Sequence, residues 1–170
     1  MHRRFLMLLI ALTVLLPSWA ARAQTAPNPK DVSTLNACLN AVDKKTPTQE
    51  GDEAGCLMKI AMPCMGGDET SVSDGKHIEC LDHERMAWDK ILNDSYKTAM
   101  AGLEDDQRDK LREVQRAWVN MRDLTCNFWY DYFQGTMANP MIASCNNRET
   151  ARRAIYLRVF AIDVSQRKAN

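Results

Sequence analysis

From Leu81 to Tyr132, apolar side chains recur at steps of three and four residues, with one clear break at Gly102. That periodicity belongs to amphipathic helices and leaves little room for strands. The first run spans Glu79 to Ala101, and its stripe is Leu81, Arg85, Trp88, Leu92, Ser95, Ala99 and Leu103, with Tyr96 beside it. The second spans Asp105 to Phe133, with Leu111, Val114, Trp118, Met121, Thr125, Phe128 and Tyr132. Glu104, Asp105 and Asp106 put negative charge at its start, where the helix dipole favours it. Two long amphipathic helices joined this tightly must run antiparallel to bury their faces.

Shorter elements flank the pair. Asp31 is placed to cap a helix through Lys45, with Val32, Leu35, Cys38, Leu39 and Val42 on one face. TPTQEGD reads as a turn, Glu53 to Met62 as a second short helix ended by Pro63 and Gly66-Gly67, and residues 65–77 as a polar loop. Gly135 and Pro140 mark residues 134–146 as a loop. Asn147 then caps a final helix from Arg148 to Gln166, burying Ala151, Ala154 or Ile155, Leu157 or the Arg158 stem, Phe160 or Ala161, and Val164. The expected fold is all-α: a disulfide-stapled helical bundle built on a long antiparallel αα-hairpin, with two short N-terminal helices and a C-terminal helix.

The N-terminus has the order of a secretory signal. Arg3 and Arg4 precede an apolar run from Phe5 to Leu16, and Ala21-Arg22-Ala23 offers a small-residue cleavage site before Gln24. The division expected is residues 1–23 as a cleaved signal, 24–78 as a cysteine-containing helical segment, and 79–167 as a helical domain packed with it. No second long apolar run follows, so no stable membrane insertion is expected after cleavage, and the destination is the periplasm or the medium. Six cysteines remain: Cys38, Cys56, Cys64, Cys80, Cys126 and Cys145. In an oxidising compartment an even number reads as three disulfides. Cys126 and Cys145 flank the loop between the last two helices and suit a bridge. The other four allow three pairings; antiparallel short helices favour Cys38–Cys56, which leaves Cys64–Cys80.

Charge and motifs narrow the function. Without Arg3, Arg4 and Arg22, 19 basic residues face 22 acidic ones. Residues 24–110 carry net −7 and residues 111–170 net +4. An acidic N-terminal half disfavours nucleic acid and suits a basic protein partner. His83-Glu84 opens like a zinc-protease motif, but position 87 is Ala. His77, Cys80 and His83 lack the paired short spacing of a structural zinc site. No nucleophile elbow, phosphate-cradling loop or dinucleotide fingerprint occurs. Asp82, Glu84 and Asp89 supply carboxylates, but acidic residues on a helix are ordinarily solvated surface. No catalytic, metal or cofactor residue is assigned.

Further motifs carry a resemblance. Leu92-Asn93-x-x-Tyr96, Gln115-Arg116-Ala117-Trp118, Arg122-Asp123-x-x-Cys126, a distant Cys145 and Thr150-x-x-Arg153-x-x-x-Leu157 together resemble the LprI-type lysozyme inhibitor family over roughly residues 80–160. The resemblance implies a helical, disulfide-bonded, non-enzymatic protein that occludes the active cleft of a basic lysozyme. A different expectation is an envelope-maintenance or structural factor that binds another exported protein or peptidoglycan. The family's namesake is a lipoprotein, whereas no cysteine directly follows the apolar run here, so tethering does not carry over. Asp68, Glu69 and Asp74 in the polar loop 65–77, or the loop 134–144, are natural probes of a basic partner. Arg116, Arg122, Asp123 and Arg153 either grip a partner's carboxylates or hold the last helix in place, and the second role is favoured.

Overall fold

The structure, a computed structural model, describes residues 26–45 and 55–169. The signal segment and the TPTQEGD turn lie outside the described residues. Five helices follow in order: α1 (Pro29–Lys45), α2 (Ala61–Cys64), α3 (Asp74–Gly102), α4 (Asp105–Phe133) and α5 (Ala138–Ala169), with no strand among the described residues. The all-α, disulfide-stapled bundle is therefore as expected. Cys38–Cys56, Cys64–Cys80 and Cys126–Cys145 are bridged, the pairings favoured by the layout.

Several helix ends differ from the sequence reading. Asn28, not Asp31, opens α1: its side chain accepts from the Lys30 N–H at 3.0 Å, and Pro29 takes the first position, where a missing N–H costs nothing. Of the helix expected from Glu53 to Met62, residues 53–54 lie outside the described residues and residues 55–60 form tight turns. What remains is the single turn of α2, Ala61–Cys64, with Pro63 inside it. Ser73 caps α3, so that helix begins at Asp74 and absorbs part of the expected loop. Helix α5 starts at Ala138, ten residues before Arg148. Pro140 falls in its first turn, where proline is tolerated, and so marks a helix start instead of a loop. Asn147, expected as the cap, sits well inside α5 and is buried.

The packing follows from where small residues lie. α3 and α5 run parallel: Glu84 meets Asn147 near one end, and Gly102 meets Val164 near the other. Ala87 and Ala99 on α3 and Ala151, Ala154 and Ala161 on α5 let the two helices approach, while Trp88, Leu92 and Leu157 fill the space between. A β-carbon at Gly102 would collide with the Val164 side chain, so this glycine serves the close approach as well as the helix end. Helix α4 turns back antiparallel but packs on α5 and scarcely touches α3. The bundle is therefore built on the α3–α5 pair and not on the packed α3–α4 hairpin expected from the sequence. The small residues facing each other on α3 and α5 draw those two helices together instead. Leu35 and Leu39 of α1 join the same core, and Arg158 of α5 reaches Asn40 and Asp43 at 2.9 and 2.5 Å.

A buried carboxylate organises the N-terminal part. Glu84, fully inaccessible, accepts from the backbone N–H groups of Met58, Ile60 and Ala61 at 2.8, 2.8 and 2.9 Å. It also accepts from Trp88 Nε1 and Asn147 Nδ2, each at 3.1 Å. Five donors replace the water lost on burial, which is what makes a buried charge tolerable. Turning three consecutive-region N–H groups onto one carboxylate opens the chain before α2 and places Met58 at φ 64°. The surface role expected of Glu84 is thus overturned.

Helix α4 is also rotated from the expected face. Leu111 and Trp118 face inward as expected, but they are joined by Gln115, Arg122, Cys126, Trp129 and Phe133. Val114, Met121, Thr125, Phe128 and Tyr132 are exposed. The Cys126–Cys145 bridge fixes the rotation, because Cys126 must point at α5. The polar Gln115 and Arg122 are drawn in with it.

Candidate binding surfaces

The acidic loop is the first surface. It runs from Met65 to Ser73 between α2 and α3, and Cys64–Cys80 staples its two flanks. Met65 is buried with Ala61, Cys80 and Leu81, anchoring the loop's start. Gly66 and Gly67 adopt φ of 74° and 88°, which permits the sharp exit from α2. Asp68 then folds the tip: its carboxylate accepts from the Thr70 hydroxyl at 2.7 Å and the Thr70 N–H at 2.9 Å. Those bonds, the hydroxyl's first, hold its pKa below the usual aspartate value. Glu69 lies 4.0 Å from His77 Nε2, and Asp74 occupies the first turn of α3. The three carboxylates are exposed on this preorganised loop and the first turn of α3 that follows it, an arrangement suited to a cationic partner.

The motif residues of α4 and α5 form a second, mostly internal cluster. Arg153 donates from Nε to Gln115 Oε1 at 2.9 Å and lies 5.0 Å from the Tyr156 ring and 5.8 Å from the Trp118 ring. Arg122 lies 5.0 Å from Trp118 on the same indole and pairs with Asp123 at 2.8 Å. Stacking a cation on tryptophan is favourable, and guanidinium suits it best. Burial pushes the Arg153 pKa below its ordinary value, and Tyr156 partly counters this. The Arg153 contacts with Gln115 and Trp118 tie α5 to α4, whereas those of Arg122 and Asp123 stay within α4. Arg116 is exposed on the neighbouring face. The remaining motif residues divide: Leu92 is buried, Tyr96 packs against the core, and Asn93 is exposed and bonds Asp89 one turn back. They do not join the α4–α5 cluster in one site.

The carboxylates considered for catalysis are otherwise engaged. Asp82 pairs with Arg85 at 2.7 Å, Asp89 accepts from Asn93, and Glu84 is enclosed. Cys80 is bridged and is no thiolate ligand. Among the described residues, no group of three His, Cys, Asp or Glu side chains is placed to hold a metal ion. No helix among them is long and apolar enough to cross a membrane.

The buried contacts of Glu84 escaped the sequence reading, although a signal existed. Glu84 and Arg85 compete for one place in the stripe between Leu81 and Trp88, both about one turn from Trp88, and of the two only the carboxylate can accept from Trp88 Nε1.

The family comparison fits this architecture. The family model described as lysozyme inhibitor LprI matches residues 64–157, more than half of the chain. The chain belongs to the LprI lysozyme inhibitor family. No curated protein and no solved structure matches it. The LprI match begins at Cys64, earlier than the motifs suggested, and so takes in the whole acidic loop together with both partners of Cys64–Cys80 and of Cys126–Cys145. Helix α1 and Cys38–Cys56 lie outside the LprI match; α1 packs on α3 and is tied to α5 by Arg158. LprI is an inhibitor family, and three disulfides fit a protein outside the cytoplasm.

Proposed function

We propose that this protein is exported and inhibits a basic lysozyme, presenting Asp68, Glu69 and Asp74 to the cationic rim of the enzyme's cleft without catalysing a reaction itself. The observation that carries the reading is the family match over residues 64–157, which includes that loop. The loop's geometry supports it. Three exposed carboxylates on a stapled segment lose little conformational freedom on docking, and preorganisation of this kind raises affinity. Charges at an interface rim act chiefly on association rate and salt dependence.

The test is inhibition of a basic lysozyme by the oxidised protein recovered after export of the full chain, beside an Asp68→Asn, Glu69→Gln, Asp74→Asn variant. Inhibition in the region of about 1 μM or below, weakened by salt, is expected of the parent. The triple variant should need roughly tenfold more protein and lose most of the salt dependence, as removal of rim charges predicts. Unchanged inhibition by the variant would remove the loop from the contact. No inhibition by the parent would overturn the reading.

A further inference from the structure

The outward side of α4 is apolar over most of its length. At 3.6 residues per turn, Val114, Ala117, Met121, Leu124, Phe128 and Tyr132 fall within one arc of about 100°. Their spacing suits helix-on-helix packing. α5 covers the opposite arc of α4, through Leu111, Trp118, Cys126 and the Arg153–Gln115 bond, and leaves this one open. Leu124 is 68 %, Tyr132 64 %, Phe128 57 %, Val114 49 % and Met121 44 % exposed. At the Val114 end the stripe runs into a groove also lined by Tyr156 and Phe160 of α5.

We propose that two copies of this protein pair through this face, with their α4 helices antiparallel about a two-fold axis near Arg122 and Asp123. Area is the first argument. The exposed parts of these side chains offer roughly 600 Å² of apolar surface per copy, the upper end of what a monomer leaves open. A polar rim brings that close to the roughly 800 Å² per partner of a standard stable interface.

Self-complementarity is the second argument, because a two-fold interface must fit itself. The stripe is small at its N-terminal end, with Val114 and Ala117, and large at its C-terminal end, with Leu124, Phe128 and Tyr132. Antiparallel pairing sets Ala117 against Phe128 of the second copy and Met121 against its Leu124, so bulk meets space. Charge adds nothing to this fit. Lys110 at the start of the stripe pairs with Glu113 of its own helix at 3.0 Å, and the same pairing sets Glu113 beside the other copy's Asp131, so the apolar fit must carry the interface. No charged side chain interrupts the arc between Val114 and Phe128, so the face has nothing with which to select a basic protein. This surface is separate from the acidic loop, and the proposal does not depend on lysozyme inhibition.

Sedimentation velocity of the exported, oxidised protein tests it over a range of about 1–100 μM, where an interface of this size should associate. The mass is expected to rise with concentration from one copy to two. Ala117→Glu and Leu124→Glu place a charge in the apolar seam, and each should weaken pairing roughly thirtyfold or more, as at an interface hot spot. Both positions are exposed in the single copy, so helicity by circular dichroism should be retained. Val159→Glu, on an exposed side of α5, should leave pairing intact. Lysozyme inhibition, measured on the same variants, should persist. A single-copy mass at the highest concentration, or a dimer indifferent to both α4 variants, would overturn the proposal. So would a monomer whose lysozyme inhibition is lost in Leu124→Glu, since that result assigns the face to the enzyme.

Discussion

Replacing Glu84 by glutamine preserves the length and shape of the side chain but exchanges one acceptor oxygen for a donor group. Oε1 accepts from Met58 N, Trp88 Nε1 and Asn147 Nδ2, and Oε2 accepts from Ile60 N and Ala61 N. Whichever way the amide turns, its NH2 must face at least two N–H donors. Those two bonds are lost, and each hydrogen bond to a charged group is worth about 1.5–3 kcal/mol. The surviving bonds weaken from charged to neutral, while removing a buried charge returns some desolvation energy. The net loss expected is about 2–4 kcal/mol, two such bonds less the desolvation energy returned. For a chain of this size that lowers Tm by roughly 10 °C. Thermal unfolding by far-ultraviolet circular dichroism, with the disulfides intact, measures it. Asp82→Asn, two residues away but exposed and held only in a surface ion pair, should change Tm by less than about 2 °C. A Glu84→Gln protein that melts within about 2 °C of the parent would refute the keystone role argued for this carboxylate.

Gly102→Ala adds a methyl group where the Val164 side chain already stands, and overpacking should cost about 1–3 kcal/mol, read as a lower denaturant midpoint. Arg153→Lys keeps the charge but forfeits the Nε bond to Gln115 and the planar stacking on Trp118 and Tyr156. Roughly 1–2 kcal/mol of stability and a shift in tryptophan fluorescence are expected, and an unchanged emission and midpoint would contradict that contact. Thr70→Val removes the hydroxyl that most depresses the Asp68 carboxyl, so its pKa, followed by NMR, should rise toward the ordinary aspartate value. Because the folded pKa lies below the unfolded one, any associated stabilisation is present at neutral pH and fades as pH falls through the depressed value. Asp68 is fully exposed, so titration of the group, and not global stability, is the informative readout.

The helices were legible in the sequence because their periodicity is long and regular. The stripe Val32, Leu35, Cys38, Leu39 and Val42 packs as read, and the choices left open in α5 resolve to Ala154, Leu157 and Ala161 as the buried members. Helix starts were less legible, since a first-turn proline such as Pro140 looks the same as a loop proline until its neighbours are known. The buried face of α4 is hard to read for a different reason. Its apolar residues cover a wide arc, and hydrophobicity alone does not say which part is buried. The disulfide decides, and it draws in Arg122 and Trp129 while leaving Phe128 and Tyr132 outside. Polar residues serving the interior are the hardest to read. Glu84, Asn147 and Gln115 bond to groups up to 89 residues distant, and no local pattern announces such partners. The acidic loop, by contrast, was visible as a composition, and the structure adds its staple and its folded tip.

The most direct test of the central claim is a titration of a basic lysozyme with the exported, oxidised protein, followed by lysis of a bacterial cell-wall suspension at low and at moderate salt. The account predicts saturable inhibition at about 1 μM or below that weakens as salt screens the acidic loop. Lysis that proceeds at the same rate at every inhibitor concentration and at both salt levels would contradict it.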